Sequence, residues 1–255
     1  MSTLPPTALV TGAARRIGRA IALDLAAKGF AVGVHYHRSE ADAEQVAAQI
    51  KAKGGRAVLL RADLGKESDT TTLVPRLAEA LGPPGLLVNN ASLFERDEAL
   101  TATRESWDAH IETNLRAPFV LTQEFARHLP DNAEGLVINM LDQRVWNVTP
   151  HFTSYTVSKA GLWTITQTLA LALAPRVRVN AIGPGPVMPS SRQTQAQFDR
   201  QVASVPLRRS ATVDEICAAI HFMIAARSMT GQMIALDGGQ HLNWASPQLH
   251  PVPEE

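Results

Sequence analysis

Tyr155 and Lys159 stand four residues apart in Ser154-Tyr155-Thr156-Val157-Ser158-Lys159, which runs on into Ala160-Gly161-Leu162-Trp163. Residues at i and i+4 share one helix face, so a phenol and an ammonium can point into one site. A free tyrosine titrates near ~10, too high for easy proton transfer at neutral pH. A fixed cation beside it stabilises the phenolate and makes the phenol a usable acid. The chain has only 2 tyrosines, so abundance does not account for the pairing. Alone, the spacing more often marks a half-buried tyrosine and a solvated lysine. Its weight comes from the rest of the chain.

Ala8-Leu9-Val10 is a short apolar run without helical period, suited to a strand buried on both faces. It leads into Thr11-Gly12-Ala13-Ala14-Arg15-Arg16-Ile17-Gly18. Ile17, Ile21, Ala22 and Leu25 then recur at helical spacing up to Lys28-Gly29. Strand, glycine turn and helix together aim backbone N–H groups and a positive dipole end at a pyrophosphate. Gly12 permits the tight turn, and Gly18 lets the helix approach the strand closely. The general dinucleotide fingerprint has glycine at position 16, where this chain has arginine, so the loop alone also fits a plain strand-to-helix turn.

The next strand, Ala31-Val32-Gly33-Val34-His35-Tyr36, ends at His37-Arg38-Ser39. NAD sites usually place an acid about ~20 residues after the glycine loop, where it holds the ribose hydroxyls. Here that position is Arg38, and no acid precedes Glu40. An arginine suits the 2′-phosphate of NADPH, which an acid would repel. Ser39 can add a hydroxyl or N–H, and it is also placed as the N-cap of the helix opening at Glu40-Ala41-Asp42. The other reading of Arg38 is a solvated surface charge.

A chain of 255 residues is long enough for one large α/β domain, expected to span 1–255. Lys+Arg and Asp+Glu both number 24 and are mixed along the chain, with no basic stripe for nucleic acid and no polybasic membrane patch. No apolar stretch approaches the ~18 residues of a membrane span. The start, Met1-Ser2-Thr3-Leu4-Pro5-Pro6, does not read as a signal peptide, and cytoplasm is the expected location. Cys217 is the only cysteine, which excludes an internal disulfide and a cysteine-rich metal site; among Ile216, Ile220 and Met223 it reads as core. The histidines form no metal set, and none is expected.

Further strands are expected at 56–60, 85–88, 135–139, 177–180 and 233–236, and helices at about 40–53, 67–81, 103–128, 155–174 and 213–226. Seven buried strands alternating with helices predict a doubly wound Rossmann-type α/β fold with a seven-stranded parallel sheet. Such sheets bind ligands at the carboxyl ends of their strands, where the glycine loop and Arg38 lie. Residues 183–207 read as an irregular lid, and 245–255 as a tail that does not continue the sheet.

The whole constellation resembles the short-chain dehydrogenase/reductase family over roughly residues 7–242. Asp63-Leu64 resembles the family's adenine-contacting pair, and Asn89-Asn90-Ala91 its strand-end motif beside the cofactor. Asn114, in Thr113-Asn114-Leu115, matches the catalytic asparagine that supports a proton-relay water through a local helix distortion. Pro184-Gly185 matches the turn closing around the nicotinamide, with Val187 beyond it. The resemblance implies that Gly12, Arg15, Arg16, Ile17, Gly18, His37, Arg38, Ser39, Asn90, Ala91 and Ser92 also line the cofactor. It further implies a homotetramer built through paired long helices, including 155–174.

One departure sharpens the resemblance. The family usually has a serine about a dozen residues before its tyrosine; this chain has Asp142, in Ile138-Asn139-Met140-Leu141-Asp142. With Arg16 and His37-Arg38-Ser39, that aspartate is similar to the pteridine reductase branch, including the dihydromonapterin reductases. Ser92 and Phe94 match the branch's cofactor or substrate contact and the ring that stacks on a pterin; the lesser alternatives are ordinary packing for Phe94 and a simple cap for Asp142. The resemblance implies NADPH-dependent reduction of a dihydropterin or dihydrofolate to the tetrahydro form. Tyr155 would donate the proton, Asp142 orient or recharge it, Lys159 hold the nicotinamide ribose, and Arg16 meet the pyrophosphate and substrate edge. Two rivals stand beside it: an NADPH-dependent carbonyl or 3-oxoacyl-thioester reductase, and a catalytically idle NADPH-binding or sensing protein.

Overall fold

The computed structural model describes residues 4–190 and 192–242, so the tail at 245–255 lies outside the described residues. Seven strands form one sheet: β1 (Thr7–Val10), β2 (Ala31–Tyr36), β3 (Ala57–Arg61), β4 (Leu86–Asn89), β5 (Gly135–Met140), β6 (Val177–Pro184) and β7 (Met233–Leu236). The order is β3-β2-β1-β4-β5-β6-β7, and all pairings are parallel. β1, β2, β4 and β5 are buried along their whole length, which is why they read as continuous apolar runs. The order reverses between β1 and β4, and a crevice opens there above the strand ends.

The helices cover both faces. α1 (Arg16–Ala27), α2 (Glu40–Ala52) and α9 (Val213–Ala225) bury one cluster around Ile21, Leu25, Val46, Ile216 and Met223. α4 (Leu73–Leu81) and α6 (Ala117–His128) bury the other, around Leu73, Leu77, Leu121 and Phe125. Truncating a fully buried leucine such as Leu87 or Leu121 to alanine would cost about 2–5 kcal/mol. α7 (Thr153–Ala172) differs from the other helices. Its buried stripe runs Ser154, Tyr155, Ser158, Lys159, Leu162, Thr166, Ala170, polar at the start and mostly apolar beyond. Tyr155 and Lys159 line the crevice, and the rest anchors them.

Three expectations from sequence need correction. The helix expected over 67–81 is broken into α3 (Glu67–Thr70) and α4, with turns between them. The helix expected over 103–128 is α5 (Arg104–Ile111), a π-helical turn at Glu112–Arg116, and α6. Residues 183–207 are not irregular throughout: β6 continues to Pro184, and α8 spans Gln195–Ser204. α8 opens on a capping box in which Thr194 accepts from Gln197 N–H and the Gln197 side chain accepts from Thr194 N–H. Thr-x-x-Gln was visible in the sequence; the polar composition around it obscured the helix.

Candidate active site

The crevice has two halves. The first, about 690 Å³, is lined by Gly12, Ala14, Arg15, the 36–39 segment, Asp63 and Gly65. Gly12 has φ +63, and its N–H donates to His35 Nδ1 at 3.0 Å. The ring proton is therefore on Nε2, which faces Ala62 O at 3.3 Å. Burial holds His35 down to about 4, so the ring is neutral and pins the glycine loop to the end of β3. A Cβ on Gly18 would stand 2.2 Å from Gly12 O, so only glycine lets α1 approach the loop. Thr11 Oγ1 accepts from Asn90 and Ala91 N–H at 2.9 and 3.0 Å, which draws the β4 end beside the loop.

Charges in this half are unevenly engaged. Arg15 pairs with Asp42 at 2.6 Å, and His37 Nε2 lies 3.8 Å from Asp63 Oδ2. Arg38 is exposed at the cleft wall and makes no ion pair among the described residues. Ser39 is the N-cap of α2 by position, but its hydroxyl makes no capping hydrogen bond. A guanidinium, an uncommitted hydroxyl and a helix N-terminus thus meet at one spot, which is a donor set for a phosphate monoester. The residues present fit a 2′-phosphorylated dinucleotide. Leu64 is turned into the core, so only its backbone can serve the cleft beside Asp63.

The second half, about 270 Å³, brings Arg16, Ile17, Asn90, Ser92, Phe94, Asp142, Tyr155, Lys159, Pro184, Gly185 and Val187 together. Tyr155 Oη donates to Asp142 Oδ2 at 3.0 Å. Asp142 also caps a 3₁₀ turn at Gln143–Val145, with Oδ1 accepting from Arg144 N–H at 2.8 Å. Arg144 Nη1 returns to Asp142 Oδ2 at 3.1 Å. Asp142 is thus both a cap and a neighbour of the phenol. Lys159 is buried, donates to Met140 O at 2.8 Å, and lies 5.7 Å from the Tyr155 ring centroid. Burial pulls its ammonium down to about 8, and Asp142 partly opposes the shift.

Phe94 stacks on Phe152 at 4.4 Å between centroids and meets Tyr155 edge-on at 4.6 Å. Arg144 lies over both phenylalanine rings, at 5.5 and 5.3 Å. Asn114 sits inside the π-helical turn. Its Nδ2 donates to Leu93 O and to Ser158 Oγ at 2.9 and 3.1 Å, and its Oδ1 accepts from Leu93 N–H at 2.7 Å. The distortion is where it was expected, and it ties the 92–94 loop to α7.

Arg16 adopts φ 52, in the left-handed region, and its guanidinium donates to Pro189 O and Met188 O at 2.6 and 3.1 Å. From the other side Arg192 pairs with Glu95 Oε2 at 2.5 Å, donates to Phe94 O, and lies over the Phe94 ring. The chain at Met188–Pro189 and at Arg192 therefore bridges the substrate half. Gly185 permits the exit of this chain from β6, since a Cβ there would come within 2.8 Å of Asp237 Cα. Sequence reasoning missed His35, Arg144 and Arg192. An arginine in a loop carries no periodic signal, and only the fold shows which ring or carboxylate it reaches.

The enoyl-(acyl carrier protein) reductase family model matches residues 12–241. The chain belongs to the short-chain dehydrogenase/reductase family. Among curated members, the 3-oxoacyl-(acyl-carrier-protein) reductase FabG of Staphylococcus epidermidis is 32% identical over 243 residues, covering 92% of this chain and 99% of its own. Among solved members, FolM alternative dihydrofolate reductase 1 from Brucella suis, in complex with NADP, is 48% identical with a TM-score of 0.93. That match covers 97% of this chain and 99% of the other. Its counterpart from Brucella canis, complexed with NADP, is 48% identical with a TM-score of 0.92, over 96% and 97% of the two chains. Within this short-chain dehydrogenase/reductase the likeness is thus greater to the FolM structures than to FabG.

Proposed function

We propose that the protein is an NADPH-dependent reductase of a dihydropterin or dihydrofolate C=N bond, giving the tetrahydro form. The observation that carries the reading is the 3.0 Å hydrogen bond from Tyr155 Oη to Asp142 Oδ2. An ionised carboxylate accepts hydrogen bonds and donates none, so it is a poor partner for a developing ketone oxyanion. It suits a substrate that must gain a proton at a ring nitrogen, because the pair can hold and pass one. The dihydrofolate reductase relatives at 48% identity support the same substrate class.

NADPH, when bound, supplies the hydride to the imine carbon. Gly12, Ile17, Gly18, Asn90, Ala91, Pro184, Gly185 and Val187 would frame its pyrophosphate and nicotinamide ends, and Arg15, His37, Arg38, Ser39 and Asp63 its adenosine end. Tyr155 gives its proton to the adjacent ring nitrogen, and Asp142 orients or recharges the phenol. Lys159 supplies the positive field and holds the ribose. Asn114 keeps the 92–94 loop and Ser158 in register. Arg16, Ser92 and Phe94 meet the substrate edge, and opening the Arg16 and Arg192 contacts admits it. The 183–207 segment acts as the lid of a single 1–255 domain.

The curated 3-oxoacyl reductases favour a second reading, carbonyl reduction. An NADPH-oxidation panel of dihydrobiopterin, dihydromonapterin, dihydrofolate, a 3-oxoacyl thioester and a simple ketone separates the two. Turnover of the thioester or ketone alone would replace the pterin reading. We also place the enzyme in the cytoplasm as a homotetramer, with tetrahydrobiopterin or a related pterin among its products. Val157 and Leu171, exposed on α7, support a helix-paired interface, and a stable monomer in gel filtration would exclude it.

A further inference from the structure

Three separate segments converge beneath the substrate half: Asp97 in the loop after β4, Ser106 and His110 on α5, and Ser154 in the first turn of α7. Asp97 is 4% exposed, and His110 and Ser154 are 0% exposed. The first turn of α7 lacks a cap of its own. Its N-cap residue, Phe152, is left-handed at φ 60 and makes no side-chain cap. Asp97 supplies what is missing. Its backbone carbonyl accepts from Phe152 and Thr153 N–H at 2.7 and 3.3 Å, and its Oδ1 accepts from Ser154 N–H at 3.0 Å. Asp97 Oδ2 accepts from Ser154 Oγ, and from Ser106 Oγ at 3.1 Å. Burial alone would raise the Asp97 carboxyl, but hydrogen bonds from Ser154 and Ser106 and the nearby His110 hold it below its ordinary value. It is a carboxylate, seated at the positive end of a long helix.

His110 extends the network. Its Nε2 accepts from Glu95 N–H at 3.1 Å, so the proton is on Nδ1, which faces Ser106 O at 2.8 Å and Ser154 Oγ at 2.7 Å. Ser154 Oγ thus receives from His110 and donates to Asp97. These residue types make hydrolytic triads elsewhere, but there the histidine lies between serine and carboxylate. Here the serine is in the middle and sealed from solvent, so it is no nucleophile.

We infer that the Asp97–Ser154–His110 cluster is a positioning device that sets the proton donor and the aromatic wall of the substrate cleft together. Ser154 immediately precedes Tyr155, and Glu95 immediately follows Phe94. One arm caps the helix that aims Tyr155 and Lys159, and the other holds the backbone beside Phe94. The two sides of the cleft therefore share one buried anchor. This rests on the functional reading only in taking Tyr155 as the proton donor, whichever double bond is reduced.

The test is steady-state kinetics of the holoenzyme on whichever panel substrate the wild type reduces. Ser154→Ala, a mild truncation, should lower kcat at least about tenfold, as small misplacements of catalytic groups do. KM for NADPH should change less than kcat does, because the glycine loop and the Arg38 end of the cleft are not touched. The solvent deuterium isotope effect on kcat should rise as proton transfer becomes limiting. Ser154→Thr, which keeps the hydroxyl, should recover most of the rate. His110→Asn keeps a donor near the Nδ1 position and loses the reach to Glu95, so it should raise substrate KM more than it lowers kcat. Wild-type kcat and isotope effect in Ser154→Ala would overturn the inference. So would a loss of kcat that only tracks the loss of folded protein, with the isotope effect unchanged. A wild type confined to ketones would instead overturn the pterin assignment and leave this comparison readable.

Discussion

Asp142 Oδ2 receives two donors at once, the Tyr155 phenol at 3.0 Å and the Arg144 guanidinium at 3.1 Å. Arg144 also covers Phe94 and Phe152, so the carboxylate, the phenol and the aromatic wall form one assembly. Asp142→Ser replaces the carboxylate that both donors share with a shorter, neutral hydroxyl. Dihydropterin turnover should fall on the order of 10²-fold, and small-ketone reduction should appear or rise. Full dihydropterin activity in that variant would end the assignment of Asp142.

Tyr155→Phe should leave NADPH binding nearly intact and lower turnover by about ~10²-fold or more, the scale of a positioned proton donor. Fluorescence titration with NADPH and kcat on the same preparation provide the check. Turnover near that of the wild type would transfer the proton to Asp142 or water.

Arg38 stands at the cleft wall without an ion pair among the described residues, beside the uncommitted Ser39 hydroxyl. NADPH should be preferred over NADH by at least about tenfold, which is ~1.4 kcal/mol of charge-assisted contact to one phosphate. Arg38→Asp should reverse or erase the preference in kcat/KM. Equal use of both cofactors by the wild type would refute this role.

Lys159 is held at about 8 by burial, against an unfolded value of 10.5. Between those values the unfolded chain binds a proton that the folded chain does not. The cost of burying the ammonium is thus fully present below pH 8 and fades as pH rises toward 10.5. That cost is roughly 3 kcal/mol. Lys159→Met should abolish turnover, and its stability advantage in urea should shrink from pH 7 toward pH 10. A constant gap across that range would contradict the burial account. Wild-type activity should decline above pH 8, as the ammonium is lost.

His35 titrates the opposite end of the range. Its folded value of about 4 lies below the unfolded 6.5, so its contribution to stability is whole above pH 6.5 and is lost as pH falls to 4. The loss is roughly 3 kcal/mol and detaches the Gly12 N–H from its acceptor. Urea midpoints for the wild type should drop over that window. His35→Phe should be less stable at neutral pH and lack that part of the acid slope.

The sheet was legible because parallel strands buried on both faces leave uninterrupted apolar runs, as in Leu86-Leu87-Val88 and Leu136-Val137-Ile138. Tyr155, Lys159, Gly12 and Gly18 were legible because helix period and backbone freedom are local properties. Asp97 and His110 were not, since their partners lie 57 and 44 residues away at Ser154 and only the fold brings them together. Leu64 could be read only as part of the Asp63-Leu64 motif; the fold adds that its side chain packs in the core and leaves its backbone to the cleft.

The π-helical turn at Glu112–Arg116 also limits how the protein can be engineered. It inserts one extra residue into a helix, turning everything after it by about 100° relative to what precedes it. α5 uses its phase to pack on α7, and α6 uses the shifted phase to pack on α4. Deleting one residue to regularise the helix would satisfy one partner and misdirect the other. A thermostabilised variant will therefore have to draw its gain from other parts of the chain and inherit this irregularity unchanged.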